Sequence, residues 1–198
     1  MIRKQLRPAI LLTFVLIVVT GLIYPGIVTG VAQLVFPRQA RGSLVVRNGQ
    51  AIGSSLIGQK FSEPWYFHSR PSAAGDGYDA TASGGTNKGP TDRKLADTLI
   101  AGAIAQAESD GASRGKIPAD MVTSSGSGLD PHISPASALI QVARVAAARG
   151  ADSSQVRDLT LHYVESRQFG FLGEPRVNVL VLNLALDNAF PHSASARK

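Results

Sequence analysis

The chain has 198 residues, a hydrophobic fraction of 44%, no cysteine and a formal net charge of +6. The charge is local: residues 1–41 hold five of the 20 basic groups and none of the 14 acidic ones, which leaves 15 basic against 14 acidic groups beyond them. The nearly neutral remainder argues against a nucleic-acid partner, and the lack of cysteine excludes disulfides, thiolate metal sites and cysteine nucleophiles.

A long apolar segment near the N-terminus predicts a membrane anchor. Between Ala9 and Val35 the only ionisable side chain is that of Tyr24. As a helix, these residues span roughly 40 Å, against about 30 Å for the hydrocarbon layer. A cleaved signal peptide would have a shorter apolar region. We therefore predict a cytoplasmic N-terminus at residues 1–7, one transmembrane helix at 8–36 and an extracytoplasmic domain at 37–198.

Two features of the anchor concern packing. Gly26 and Gly30 form a G-x-x-x-G spacing, which allows another helix to approach closely. Pro25 removes one backbone hydrogen bond, so we expect a bend near the outer end of the helix.

The segment after the anchor predicts a small antiparallel sheet. Asn48-Gly49 lies between the β-prone runs Gly42–Val46 and Gln50–Ile57, a strong hairpin signal. A further short strand is predicted at Trp65–His68, after Pro64.

Two loops rich in glycine and serine separate the later elements. The first, Ser69–Pro90, has no apolar period, and we expect an ordered loop laid on the surface. Thr91 then caps a predicted helix that ends near Ser109. The second loop covers Ser124–Pro135.

The C-terminal part predicts two helices and one ambiguous segment. Ser134-Pro135 starts a helix that runs to Arg149, where Gly150 ends it. A second helix starts at Asp152 or Ser153. For Val177–Asp187 the pattern permits strand or helix, and we expect a strand at Val177–Leu182 followed by a helical turn. The last six residues should fray. The fold class is therefore α+β, a single mixed domain behind one anchor.

No residue pattern predicts catalysis or metal binding. The four histidines are scattered and have no clustered carboxylates beside them. Ser113–Lys116 matches S-x-x-K without the companion motifs of a serine nucleophile. Residues 84–91 lack the G-K-[ST] ending of a phosphate loop, and Pro90 withholds a donor.

Ordered sequence blocks along nearly the whole chain indicate a family. They include Tyr24-Pro25-Gly26, Tyr66-Phe67, Ser69-Arg70-Pro71-Ser72, Ser83-Gly84-Gly85-Thr86-Asn87, the run from Ser125 to Pro135, Gly173-Glu174-Pro175-Arg176, and Leu182-Asn183-Leu184-Ala185-Leu186-Asp187. With these blocks the chain resembles KdpC, the C subunit family of the bacterial Kdp potassium-transporting P-type ATPases.

The resemblance implies an accessory, non-enzymatic subunit in the bacterial inner membrane. Its implied partners are a channel-like potassium-translocating subunit, a P-type ATP-hydrolysing subunit, a small membrane subunit and the lipid bilayer. The family is also described as a catalytic chaperone, which raises the ATP affinity of the hydrolysing subunit through a ternary complex of two subunits and ATP. No bound cofactor is expected beyond ATP in that second role.

Two hypotheses follow for the polar residues. In the first, the chain stabilises assembly of the channel-like and ATP-hydrolysing subunits, and its two loops cap a partner near the K⁺ entrance. The candidate contact residues are Arg70, Ser83, Gly84, Gly85, Asn87, Gly126, Ser127, Gly128, Asp130 and His132. In the second, the same loops with Arg70, Gln141 or Arg144 touch ATP. A third interpretation is that the loops only serve the fold of their own domain.

Overall fold

The computed structural model describes residues 2–113 and 115–192. The chain divides into two compact units, Met1–Ser54 and Ser55–Lys198. The frayed end predicted for the last six residues lies outside the described part.

The first unit begins with one long helical stretch. It consists of α1 (Ile2–Val18), a π-helical segment (Val19–Ile23) and α2 (Tyr24–Val35). Its residues Lys4–Val35 form a single helix that is long and apolar enough to cross a membrane. The π turn lies directly before Pro25, and the Tyr24 N–H donates to Val19 O. The widened turn accommodates the carbonyl that a proline ring would otherwise press against. The short helix α3 (Pro37–Ala40) follows.

The predicted hairpin is confirmed. Strands β1 (Leu44–Arg47) and β2 (Gln50–Ser54) pair antiparallel and are joined by Asn48 and Gly49. Their φ values of 52° and 78° are both positive, as the tight hairpin turn requires.

The second unit combines helices with a small sheet, which confirms the predicted α+β class. Strands β3 (His132–Ile133), β4 (Val164–Glu165) and β5 (Arg176–Asn178) form an antiparallel sheet in the order β3-β5-β4. Its helical elements are a π-helical segment (Leu95–Ile100), α4 (Ala101–Ser109), α5 (Ala119–Val122), α6 (Pro135–Arg149), α7 (Ser153–His162) and α8 (Val179–Ala189).

The central helices begin and end as their sequences predict. Ser134 Oγ accepts from the Ser137 N–H at 3.1 Å at the start of α6, and Gly150, with φ 64°, ends that helix. Asp152 is the cap of α7, since its carboxylate accepts from the Ser154 and Gln155 N–H groups.

Two predicted boundaries are wrong. Asp92, not Thr91, caps the helical segment that leads into α4, because Asp92 Oδ1 accepts from the Leu95 N–H at 3.1 Å. The strand predicted at Val177–Leu182 ends at Asn178, whose side chain accepts from the Val181 N–H at 3.2 Å and starts α8. Asn178 therefore acts as an N-cap within the apolar run, and the residues after it form a helix instead of the predicted strand.

The prediction of a strand at Trp65–His68 is also wrong. The backbone of this segment forms hydrogen bonds with side-chain amides and not with a neighbouring strand. Phe67 N donates to Asn183 Oδ1 at 2.8 Å, and Asn183 Nδ2 donates to Phe67 O at 3.0 Å. Gln141 makes the same pair of bonds with the backbone of His68, at 2.7 and 3.2 Å. Phe67 is fully buried in a core with α6 and α8. These amides satisfy buried groups that would otherwise lack partners.

Candidate functional site

The two glycine- and serine-rich loops pack against each other. We call Ser69–Pro90 and Ser124–Pro135 together the two-loop layer. Gly84 N donates to Ser127 O at 2.9 Å, and Ser83 Oγ donates to the same oxygen at 3.0 Å. The candidate residues from the two loops are thus brought together in space.

Ser72 and Gly128 form the centre of the layer. Ser72 Oγ donates to Gly128 O at 2.6 Å and accepts from the N–H groups of Ala74 and Tyr78. Gly128 has φ 67°, and a Cβ there would lie 2.7 Å from both Ala74 N and Gly84 O. Since both obstacles are backbone atoms, only glycine fits without moving the loops.

A half-buried ion pair between Arg70 and Asp130 links the two loops of the layer. Arg70 Nη1 lies 3.0 Å from Asp130 Oδ2, and Arg70 Nη2 donates to Thr123 O at 3.3 Å. Burial would raise the pKa of Asp130, but the His132 hydrogen bonds and the Arg70 charge hold it below its usual value. His132 also lies 4.0 Å from Glu165 on β4. These three predicted contact residues therefore already have partners within the domain.

Tyr78 adds a further cross-link. Its hydroxyl donates to Arg70 O at 2.7 Å, and burial raises the pKa of Tyr78 to about 12. A Cβ at Gly58 would lie 2.6 Å from the Tyr78 ring and from Asp130 O, so this glycine permits the close packing.

A polar edge of the layer remains open to solvent. Ser83, Asn87, Gly126 and Ser127 are exposed, whereas Gly84 and Gly85 are half-buried. Asn87 holds φ 52°, a conformation that asparagine tolerates better than most residues. This uncharged edge is the part of the predicted site that a partner can reach.

The side chains of both predicted nucleotide residues are hydrogen-bonded within the domain. Gln141 is 1% exposed and bonds to His68. Arg144 donates to Tyr66 O at 3.1 Å, to Gln141 Oε1 at 2.8 Å and to Pro64 O. Its Nε lies 2.9 Å from Asp110. Burial lowers the pKa of Arg144, and the Asp110 charge opposes that shift.

A cavity of about 250 Å³ lies beside Gln141 and is also lined by His68, Arg70, Leu99 and Asp110. The charged side chains that line the cavity already have partners in the domain, since Asp110 pairs with His68 and Arg144, and Arg70 pairs with Asp130. Burial would raise the pKa of Asp110, but His68 and Arg144 together hold it below its usual value. Across the described ranges, no group of three or more histidine or carboxylate side chains could hold a metal ion.

The sequence reasoning missed one exposed feature, the turn after β4. Phe169 and Phe171 are 87% and 71% exposed there. The available signal was Phe-Gly-Phe-Leu between charged residues.

The glycine pair of the anchor lies on an open face of its helix. A Cβ added at Gly26 or Gly30 would meet no described atom within 4 Å. The face that the G-x-x-x-G spacing predicts for helix packing is therefore free for a neighbouring helix.

Comparison with known proteins gives consistent results along the chain. The family described as "KdpC: K+-transporting ATPase, c chain" matches residues 6–188. The potassium-transporting ATPase KdpC subunit of Gemmatimonas aurantiaca is 60% identical over 195 residues, covering 98% of each chain. The subunits of the same name from Koribacter versatilis and Rhodospirillum rubrum are 54% and 53% identical, over 96% and 95% of this chain and 97% of each relative.

Proposed function

The chain belongs to the KdpC family, and from this premise we propose that it is a non-catalytic subunit which stabilises assembly of a potassium-transporting ATPase. The partners it would hold together are a channel-like K⁺-translocating subunit and an ATP-hydrolysing subunit, with a small membrane subunit beside them. The proposal treats the folded second unit as a contact surface.

The observation that carries the proposal is the internal bonding of the two-loop layer. Ser72, Arg70 and Asp130 bond across the layer and fix its shape. The edge that remains exposed carries hydroxyl, amide and backbone groups without net charge. Such an edge suits a rigid protein contact near a cation pathway, because it neither repels nor traps K⁺.

The proposed placement follows from the anchor. Lys4–Val35 is long enough to cross a bilayer, and basic groups precede it. We propose a single pass in the inner membrane with the N-terminus in the cytoplasm and the second unit outside. Because the chain has no cysteine, Ala82→Cys on the exposed loop gives a single labelling site. An impermeant thiol reagent should label it in intact cells, and labelling only after the membrane is opened would contradict this orientation.

The second candidate function is the ATP-affinity role. Direct ATP contact through Gln141 or Arg144 would first break the bonds that hold Tyr66 and His68. The geometry therefore favours assembly over direct nucleotide contact.

Purification of the ATPase with and without this chain separates the two candidates. Assembly predicts that the K⁺-translocating and ATP-hydrolysing subunits stop co-purifying when the chain is absent. The alternative predicts a complex in full yield with a raised KM for ATP. If yield and KM were both unchanged, both proposals would fail.

The exposed edge is tested by Asn87→Gly, which keeps the positive φ and removes only the side chain. We expect weaker co-purification with the partner subunits and unchanged thermal stability. Ala82→Ser is the matched control on the same exposed loop. Equal recovery of the two variants would remove Asn87 from the contact.

A further inference from the structure

The hairpin between β4 and β5 exposes two aromatic rings. We call Arg167–Glu174 the aromatic tip. Among the described residues of the second unit, Phe169 and Phe171 are the most exposed large hydrophobic side chains, at 87% and 71%, and Leu172 is 47% exposed. The fold leaves most of the surface of both phenylalanines in water. Large apolar side chains that are exposed close together on a surface are a mark of interaction sites.

The turn at the tip has the same φ pattern as the turn in the first unit. Phe169 and Gly170 have φ values of 52° and 82°, close to the 52° and 78° of Asn48 and Gly49. The Phe171 N–H donates to Gln168 O at 3.2 Å and closes the turn. Asparagine suits the first position, whereas a bulky side chain is strained there. Phe169 therefore occupies a position of positive φ at which the β1–β2 hairpin has Asn48, a residue that adopts this conformation with less strain.

The tip is also held rigid and electrically neutral. Gln168 and Leu172 exchange two backbone hydrogen bonds of 2.9 Å. At the base, Arg167 lies 2.6 Å from Glu174 and Arg176 lies 2.9 Å from Glu165. Each arginine between Val164 and Arg176 thus faces a carboxylate. A site for an anionic lipid surface would instead present unpaired basic groups.

We propose that the aromatic tip inserts Phe169 and Phe171 into an apolar pocket on another subunit of the potassium-transporting ATPase. A rigid, uncharged aromatic pair loses little entropy on docking and matches the anchors that dominate protein interfaces. The inference rests on the proposed assembly function and gives it a second contact, separate from the exposed edge of the two-loop layer.

Photo-crosslinking in the complete ATPase tests the contact directly. The probe is p-benzoylphenylalanine placed at position 171 of the full chain, expressed together with the other subunits. We expect an adduct with the mass of this chain plus one other subunit. An adduct with lipid only, an adduct with a second copy of this chain, or no adduct would each overturn the proposal.

Substitution at the tip separates binding from folding. The double variant Phe169→Asn with Phe171→Ser removes both rings. Its asparagine matches Asn48 in the turn of the β1–β2 hairpin. Its thermal stability should equal or exceed that of the parent, because the strain at Phe169 is relieved. Recovery of the complex should fall about tenfold or more, as expected for two anchor residues.

Leu161→Ser is the control, since Leu161 is 44% exposed on α7, outside the tip. Parent-level recovery of the double variant would overturn the tip contact, yet the assembly function would stand if loss of the whole chain still separated the subunits. If loss of the whole chain also left the complex intact, the proposed function itself would be wrong.

Discussion

The two-loop layer and the aromatic tip differ in how they use their side chains. The layer is long and irregular, yet Ser72, Arg70 and Tyr78 direct their polar atoms onto its own backbone or carboxylates. The tip is short and regularly hydrogen-bonded, yet Phe169 and Phe171 face solvent. An irregular, glycine-rich segment is therefore not by itself a binding surface. Apolar groups that the fold does not bury are the better indication of a missing partner.

The largest effect on stability is expected at buried Phe67, two residues before the layer begins. Asn183→Ala leaves the N–H and C=O of buried Phe67 without partners, so the free energy of unfolding should fall by about 2–5 kcal/mol. Urea denaturation of the full chain in detergent measures it. Asn188→Ala, an exposed change on the same helix, should stay within about 0.5 kcal/mol. Equal midpoints for both variants would contradict the role of Asn183.

Gly128→Ala should have the next largest effect. The new Cβ meets two backbone atoms at 2.7 Å, and the φ of 67° disfavours alanine, so we expect a loss of about 3 kcal/mol. Gly126→Ala is the matched control from the same loop, because its Cβ would meet nothing within 4 Å. A Gly128→Ala chain as stable as this control would show that the layer is loosely packed.

Tyr78 gives the layer a dependence on alkaline pH. Burial raises the pKa of Tyr78 from 10.0 to about 12, so the folded state keeps a proton that the unfolded state releases first. This contribution to stability is complete below pH 10 and is lost as the pH rises to about 12. The absorbance titration of the parent minus that of Tyr78→Phe should show a midpoint near 12. A midpoint near 10 would mean that the phenol is open to water.

The smallest effect on stability is expected at the tip. Phe171 is 71% exposed, so Phe171→Ala should change the free energy of unfolding by less than about 0.5 kcal/mol. A loss as large as that of Gly128→Ala would make the tip a part of the fold, and the contrast between the two regions would disappear.

Local sequence signals predicted those parts of the fold that local physics decides. Asn48-Gly49 predicted the first hairpin, and Ser134-Pro135 and Asp152 predicted the starts of α6 and α7. In each case the residue that decides the structure lies within three positions of the structure it forms.

Long-range pairing decided the rest. Asn183 and Phe67 lie 116 positions apart. The local sequence around Phe67 therefore cannot show that its backbone bonds to a side-chain amide instead of to a neighbouring strand. The same holds for Arg70 and Asp130, which lie 60 positions apart. Their role as partner contacts stays a prediction, since the structure shows only that they bond within the layer. The Phe169-Gly170 turn escaped notice because phenylalanine is not a turn residue.

Hydroxyl-radical footprinting of the free chain and of the assembled ATPase tests the contrast between layer and tip most directly. Mass spectrometry then measures oxidation at each side chain, with exposed Leu161 as the reference. The account predicts strong oxidation of Phe169 and Phe171 in the free chain and a sharp fall of both on assembly. Equal oxidation of both rings in the two states would contradict it.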